Sequence, residues 1–260
     1  MSKLRLRALP LASIALLTLA ACSAVSTETT PTPTAATPTA TSAPTPSPSP
    51  VATATATGTT APTTAPPSAT EPPAPAVTIL SPVDKDHALP ADYVPPGLVT
   101  IPPAYMASGF GGELRQEAAD ALVSMLDDAD AAGHDIRARS AYRSYATQES
   151  TFNYWVGVLG YDEAVRVSAI AGHSEHQLGT TADLTSPEVG WGLLESFGET
   201  AAGQWLAAGA RDYGFALSYP EGAEATTGYA YEPWHFRYIG TAETQAWSAS
   251  GLTLNQYLLQ

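Results

Sequence analysis

Cysteine is almost missing from this 260-residue chain. The single thiol, Cys22, excludes an intrachain disulfide and a multi-thiolate metal centre, so any metal must be held by histidine and carboxylate. Long apolar runs are also missing. The stretch 9–19 is broken by Pro10 and is too short to cross a bilayer as a helix. Basic residues are few, 11 Lys and Arg against 25 Asp and Glu, for a net charge of -14. Only Glu28 and Glu71 of the acids precede residue 78, so the later part of the chain is more negative than the whole, near -15. Such a surface repels phosphate backbones and excludes nucleic acid as a partner, while leaving peptides and glycans open.

What is present comes in two materials. Residues 1–21 have the layout of a secretory signal: Lys3, Arg5 and Arg7 at the positive end, the apolar run, then small residues. Leu19-Ala20-Ala21-Cys22 resembles the bacterial lipoprotein processing site, which implies a lipid on Cys22 and membrane anchorage through it. An ordinary signal peptide with an incidental cysteine is the plainer alternative. Residues 22–77 are dominated by Thr, Pro, Ser and Ala, with almost no large apolar side chains to offset the entropy of ordering. They are expected to form a disordered tether, reaching at most roughly 170 Å as extended polyproline II.

Residues 78–260 have the periodicity of one folded domain. Leu98 to Ile101 suggests a short strand, and 113–132 a helix, with Leu114, Ala118, Leu122, Met125, Leu126 and Ala129 on one face and Gly133 as its stop. Residues 136–142 alternate as a strand, Ile136 and Ala138 facing one way, Arg137 and Arg139 the other. Ser144 or Thr147 caps a helix running to about Val158, and another helix is expected over 161–170. Strands are expected at 182–185, 215–219 and 234–239, the last two separated by a Gly-rich acidic turn region. Helices are expected at 199–213, 241–250 and 254–259. Short strands without regular βαβ alternation indicate an α+β fold: a small antiparallel sheet with flanking helices, and the metal site on the sheet face.

Two charge-poor stretches hold the chemistry. In Ser174-Glu175-His176-Gln177-Leu178-Gly179-Thr180-Thr181-Ala182-Asp183, the glycine lets the chain turn back so that His176 and Asp183 face one ion. Glu232-Pro233-Trp234-His235-Phe236-Arg237 supplies a second imidazole. Pro233 disfavours a helical Glu232, so this is not the helical zinc-protease arrangement. Neutral imidazole with carboxylate suits zinc, and a catalytic zinc wants three protein ligands with a position open for water. His176, Asp183 and His235 supply three, leaving Glu232 as a base. Arg143, at a strand end, offers a bidentate grip on a carboxylate. Each piece alone has a plainer reading: a core histidine, a Trp234 packed beside a capping His235, a surface salt bridge at Arg143. His173 is expected to be an exposed loop residue.

Taken together, Ser140-x-Tyr142-Arg143-Ser144, Gln148, Ser174-Glu175-His176-Gln177-x-Gly179-x-x-Ala182-Asp183 and Glu232-Pro233-Trp234-His235-x-Arg237-Tyr238 resemble the VanY-type zinc D-alanyl-D-alanine carboxypeptidases. These belong to the wider lysostaphin-like, D-Ala-D-Ala and hedgehog-type metallopeptidase group. The resemblance covers residues 95–258, with the motifs in order. It implies one Zn2+ on His176, Asp183 and His235, Glu232 as catalytic base, Arg143 at the scissile carbonyl or substrate carboxylate, and Gln148 and Ser174 in contact with substrate. Thr180 stands where the family often has an apolar residue. The implied activity is removal of the C-terminal D-Ala from peptidoglycan stem peptides, outside the cytoplasmic membrane and facing the wall, by a monomer. An L,D-carboxypeptidase, an endopeptidase on the same peptides, and a non-catalytic zinc-containing wall-binding module are the alternatives. An intact Glu232 disfavours the last.

Overall fold

The computed structural model describes residues 76–260. The expected signal peptide, the lipidation at Cys22 and the tether as far as residue 75 lie outside the described residues. Among the described residues no helix is long and apolar enough to cross a membrane.

A short ribbon opens the fold. Strand β1 (Leu98–Thr100) pairs antiparallel with β2 (Glu113–Arg115), and α1 (Gln116–Ala131) follows directly. The helix expected from residue 113 therefore begins three residues late. Leu114 is fully buried and suits either element, so apolar spacing alone does not separate them. The ribbon decides it: Val99 pairs with Leu114, and Arg115 N–H donates to Gly179 O at 2.7 Å. Gly133, at φ 88, closes the far end of α1 as expected.

Next come β3 (Arg137–Ser140), α2 (Tyr145–Leu159), α3 (Tyr161–Val167), β4 (Thr181–Thr185), α4 (Ala201–Gly209) and β5 (Phe215–Leu217). A one-turn helix α5 (Glu224–Thr227) interrupts the region read as turn, before β6 (His235–Tyr238), α6 (Thr241–Ser250) and α7 (Leu254–Leu258). Ser144 is the cap of α2, accepting from Thr147 N–H at 3.2 Å.

Strands β3, β4, β6 and β5 form one antiparallel sheet in that order. Side chains alternate across it. Ala138, Ala182, Leu184, Phe215 and Phe236 turn to one side, into a common core with Leu122, Met125 and Leu126 of α1 and Leu206 of α4. The other side carries Asp183 and Arg237, and the β4–β6 register sets Asp183 directly opposite His235. The ladder therefore brings together two residues 52 positions apart.

The segment before β1 is irregular, as its prolines dictate, yet well packed. Val83 and Leu89 bury against Leu178. Gln177 Nε2 donates to the carbonyls of Pro90 and Tyr93. His173 is not an exposed loop residue: it is half-buried, its Nδ1 2.7 Å from Asp84 O, because this segment lies across it.

Candidate active site

Glu175–Leu178 form a single 3-10 turn that ends at Gly179 in the left-handed conformation, φ 71. A side chain there would be strained, and its Cβ would sit 2.9 Å from Pro95 Cγ. The reversal into β4 returns His176 over Asp183. His176 Nε2 lies 3.3 Å from Asp183 Oδ2, and His235 Nδ1 lies 3.4 Å from Asp183 Oδ1. The two imidazoles meet edge to face at 5.0 Å. One ligand atom from each of the three residues lies within 4.8 Å of the others, and all three side chains are buried.

This donor set fits one metal ion. Ligand atoms bonded at about 2.0–2.1 Å to a tetrahedral zinc are about 3.3 Å apart, which matches both spacings around Asp183. Asp183 Oδ1 is buried without a hydrogen-bond partner, so its capacity to accept is unspent. Each imidazole is also turned correctly. His176 Nδ1 is 2.7 Å from Ala141 O and His235 Nε2 is 3.0 Å from Glu175 Oε2. Protons on those nitrogens leave the lone pairs of His176 Nε2 and His235 Nδ1 facing Asp183.

Charge in the cluster is arranged around His235. Burial favours its neutral form, but Asp183, Glu175 and Glu232 surround it and push its pKa well above the ordinary value. The ring thus sits where positive charge is wanted, and a proton or a metal ion at Nδ1 supplies it. His176 is driven the other way, toward neutrality, chiefly by burial. Burial also opposes ionisation of Asp183, yet His176 and His235 hold its carboxyl below the usual range. Glu175 is held down to about 2 against its burial, by Arg237 and His235. Glu232, with Oε2 3.3 Å from His235 Nδ1, is raised by burial and so is the more basic carboxylate of the group.

A cavity of about 340 Å³ opens onto this cluster. Arg143, Ser174, His176, Asp183, Glu232 and His235 all line it, with Trp155, Tyr231 and Trp234 as apolar walls. Arg143 Nη2 stands 3.8 Å from Asp183 Oδ2 and donates to Ser140 Oγ at 3.0 Å. Gln148, expected at the substrate, is fully buried: its Oε1 accepts from Arg143 Nη1 at 2.8 Å and its Nε2 donates to Ala169 O. It stands behind Arg143 because α2 points it inward. Cys22 lies outside the described residues.

Sequence reasoning named Glu175 without giving it a task. Its carboxylate accepts from His235 Nε2, Ser218 Oγ and Arg237 Nη1, all buried. The available signal was an acid directly beside a candidate ligand in a charge-poor stretch. Ser218 and Tyr219 carried no such signal. Tyr219 lies tilted against His235, ring centres 4.7 Å apart, only because β5 is brought alongside β6.

Comparison with known proteins adds the following. Residues 111–241 match the family model VanY, described as D-alanyl-D-alanine carboxypeptidase. The chain is 41% identical over 182 residues to YodJ of Bacillus subtilis (strain 168), covering 69% of this chain and 66% of that protein, a little under two thirds of its length. Among solved structures, the LD-carboxypeptidase LdcB is 40% identical with a TM-score of 0.65, covering 70% of this chain and 86% of that one. A mutant of the vancomycin-resistance D,D-pentapeptidase VanY, solved in complex with Zn(II), is 26% identical with a TM-score of 0.57, covering 69% and 98%.

Proposed function

Since the chain belongs to the VanY family of D-alanyl-D-alanine carboxypeptidases, we propose that it is a zinc-dependent carboxypeptidase removing the C-terminal D-alanine from peptidoglycan stem peptides. The observation that carries the reading is the buried His176, Asp183 and His235 group with Glu232 beside it at the cavity wall. His176, Asp183 and His235 would hold the zinc, which supplies polarisation of the scissile carbonyl and acidification of a water. Glu232 is placed to take a proton from the attacking water as its oxygen bonds the scissile carbonyl carbon, and to return it to the amine nitrogen as the C–N bond breaks. Its burial makes it a stronger base than an exposed glutamate. Arg143 holds the terminal carboxylate or the developing oxyanion, and is itself aimed by Gln148 and Ser140. Ser174 offers a hydroxyl to the substrate from the cavity wall.

The same geometry serves an L,D-carboxypeptidase acting on tetrapeptides. That second reading is favoured by the greater identity to LdcB, 40% against 26% for the D,D-pentapeptidase. On either reading, residues 78–260 are the catalytic domain, carried outside the cytoplasmic membrane by a lipid on Cys22 and the tether 22–77. Incubation with tri-, tetra- and pentapeptide muropeptides, with and without chelator, followed by mass spectrometry, is the test. Chelator-sensitive loss of one alanine from the pentapeptide alone selects the D,D reading, and loss from the tetrapeptide selects L,D. No loss from any of them overturns both.

A further inference from the structure

A second, open cleft of about 470 Å³ lies beside the edge strand β3. Phe110 and Trp191 both line it, with Asp135 and Arg137. Trp191 is the single non-glycine residue at positive φ among the described residues, φ 62, a conformation that side chains disfavour. Such strain persists only where the surroundings over-determine it, and it concentrates at functional sites. Here the surroundings are identifiable. Trp191 N–H donates to Ser186 O, and Trp191 O accepts from Arg139 Nη1. The same guanidinium lies over the Phe110 ring, 4.5 Å from its centre. One arginine therefore fixes both aromatic residues, and Phe110 nonetheless remains 44% exposed. Arg137 and Asp135 stand in the cleft as an ion pair, Nη2 to Oδ1 at 3.1 Å, and Arg139 covers one face of Phe110. The other Phe110 face, the Trp191 ring and the outer atoms of that half-exposed ion pair match a pyranose: its C–H face packs on a ring, while its hydroxyl and acetamido groups bond Asp135 Oδ2 and the guanidinium edge.

The cleft adjoins the catalytic cavity. Trp191 lines the cleft, while Leu193 and Glu195 of the same loop line the cavity. Arg137 pairs with Thr185, two residues along β4 from Asp183, which is roughly 7 Å of strand. Two or three extended peptide residues span roughly 7–10 Å. We propose that this cleft is a saccharide subsite for an N-acetylated amino-sugar ring of the glycan to which the stem peptide is joined. The proposal rests on the peptidoglycan reading above.

The test uses the full-length zinc-loaded protein and one stem peptide in two forms, free and joined to its disaccharide. Trp191→Gly removes the ring and relieves the positive φ, so the fold is not placed at risk, and Phe110→Ala removes the other face. The expected result is a KM for the disaccharide-linked peptide that rises about tenfold in each variant, the free peptide unaffected. Equal KM values for both forms in the wild type, or equal changes for both forms in the variants, overturn the subsite and leave the carboxypeptidase reading standing. If neither form is cleaved, that reading fails. The subsite is then judged by titrating the disaccharide alone against the Trp191 indole N–H resonance: a saturable shift abolished by Phe110→Ala supports it, and no shift overturns it.

Discussion

Asp183 serves both imidazoles at once, and the residues around it divide into those that would touch a metal and those that aim them. Glu175 is of the second kind. Glu175→Gln is predicted to weaken zinc binding about 10–100-fold, measured by competition with a chromogenic chelator. Glu232→Gln should keep the metal, checked by elemental analysis, while kcat falls about 10²–10⁴-fold. In the metal-free protein burial raises the Glu232 carboxyl above its ordinary 4.5, so its titration followed by carboxyl NMR is expected above that value, and a titration at or below it would remove the ground for calling Glu232 the more basic carboxylate. For stability the sign reverses at Glu175. Its folded pKa of about 2 lies below the ordinary 4.5. Its contribution, roughly 3 kcal/mol, is present in full above pH 4.5 and is lost as pH falls toward 2. Acid titration of unfolding in the metal-free protein should show that loss in the wild type and not in Glu175→Gln.

At the scale of elements, the site depends on how neighbouring pieces stop and start. α2 begins at Tyr145 and its cap, Ser144, directly follows Arg143, so the cap also fixes the root of that arginine. Ser144→Ala is predicted to cost about 1 kcal/mol in thermal or urea unfolding, with KM rising more than kcat falls. Gly203 in α4 is less forgiving. A Cβ there would stand 2.0 Å from Phe197 O, which is backbone, so the preceding turn and α4 must separate. Gly203→Ala is expected to destabilise by about 1–3 kcal/mol, read from the urea midpoint. Much at this scale was legible. The apolar stripe of α1, the alternation of Ile136 and Ala138, and Gly133 as a stop are local signals with local causes. The strand at Glu113–Arg115 and the turn of helix at Glu224–Thr227 were not, because distant partners bear on them: Leu98–Thr100 pairs with the first, and Arg166 grips Glu224 at the start of the second.

For the whole molecule, metal binding and folding are one equilibrium. Three carboxylates converge on His235 and are relieved by a cation. Zinc at 100 times its Kd is predicted to stabilise by about 2.7 kcal/mol. Calorimetry should show a higher Tm with zinc, reversal by chelator, and no response in His235→Ala. The segment before β1 belongs to the same unit although it precedes the matched residues 111–241. Arg237, fully buried, donates to Ile79 O and Ser81 O and also to Glu175, which holds His235. The chemistry of the donor set is determined by the sequence by itself. One thiol leaves only histidine and carboxylate, Gly179 permits a reversal no other residue makes without strain, and Pro233 keeps Glu232 and His235 off a helix. Only the tertiary structure decides which atoms meet. A strand register places Asp183 against His235, an inward helix face puts Gln148 behind Arg143, and an N-terminal segment closes over Arg237. These are contacts between distant residues, and nothing in the local preferences of either partner encodes them.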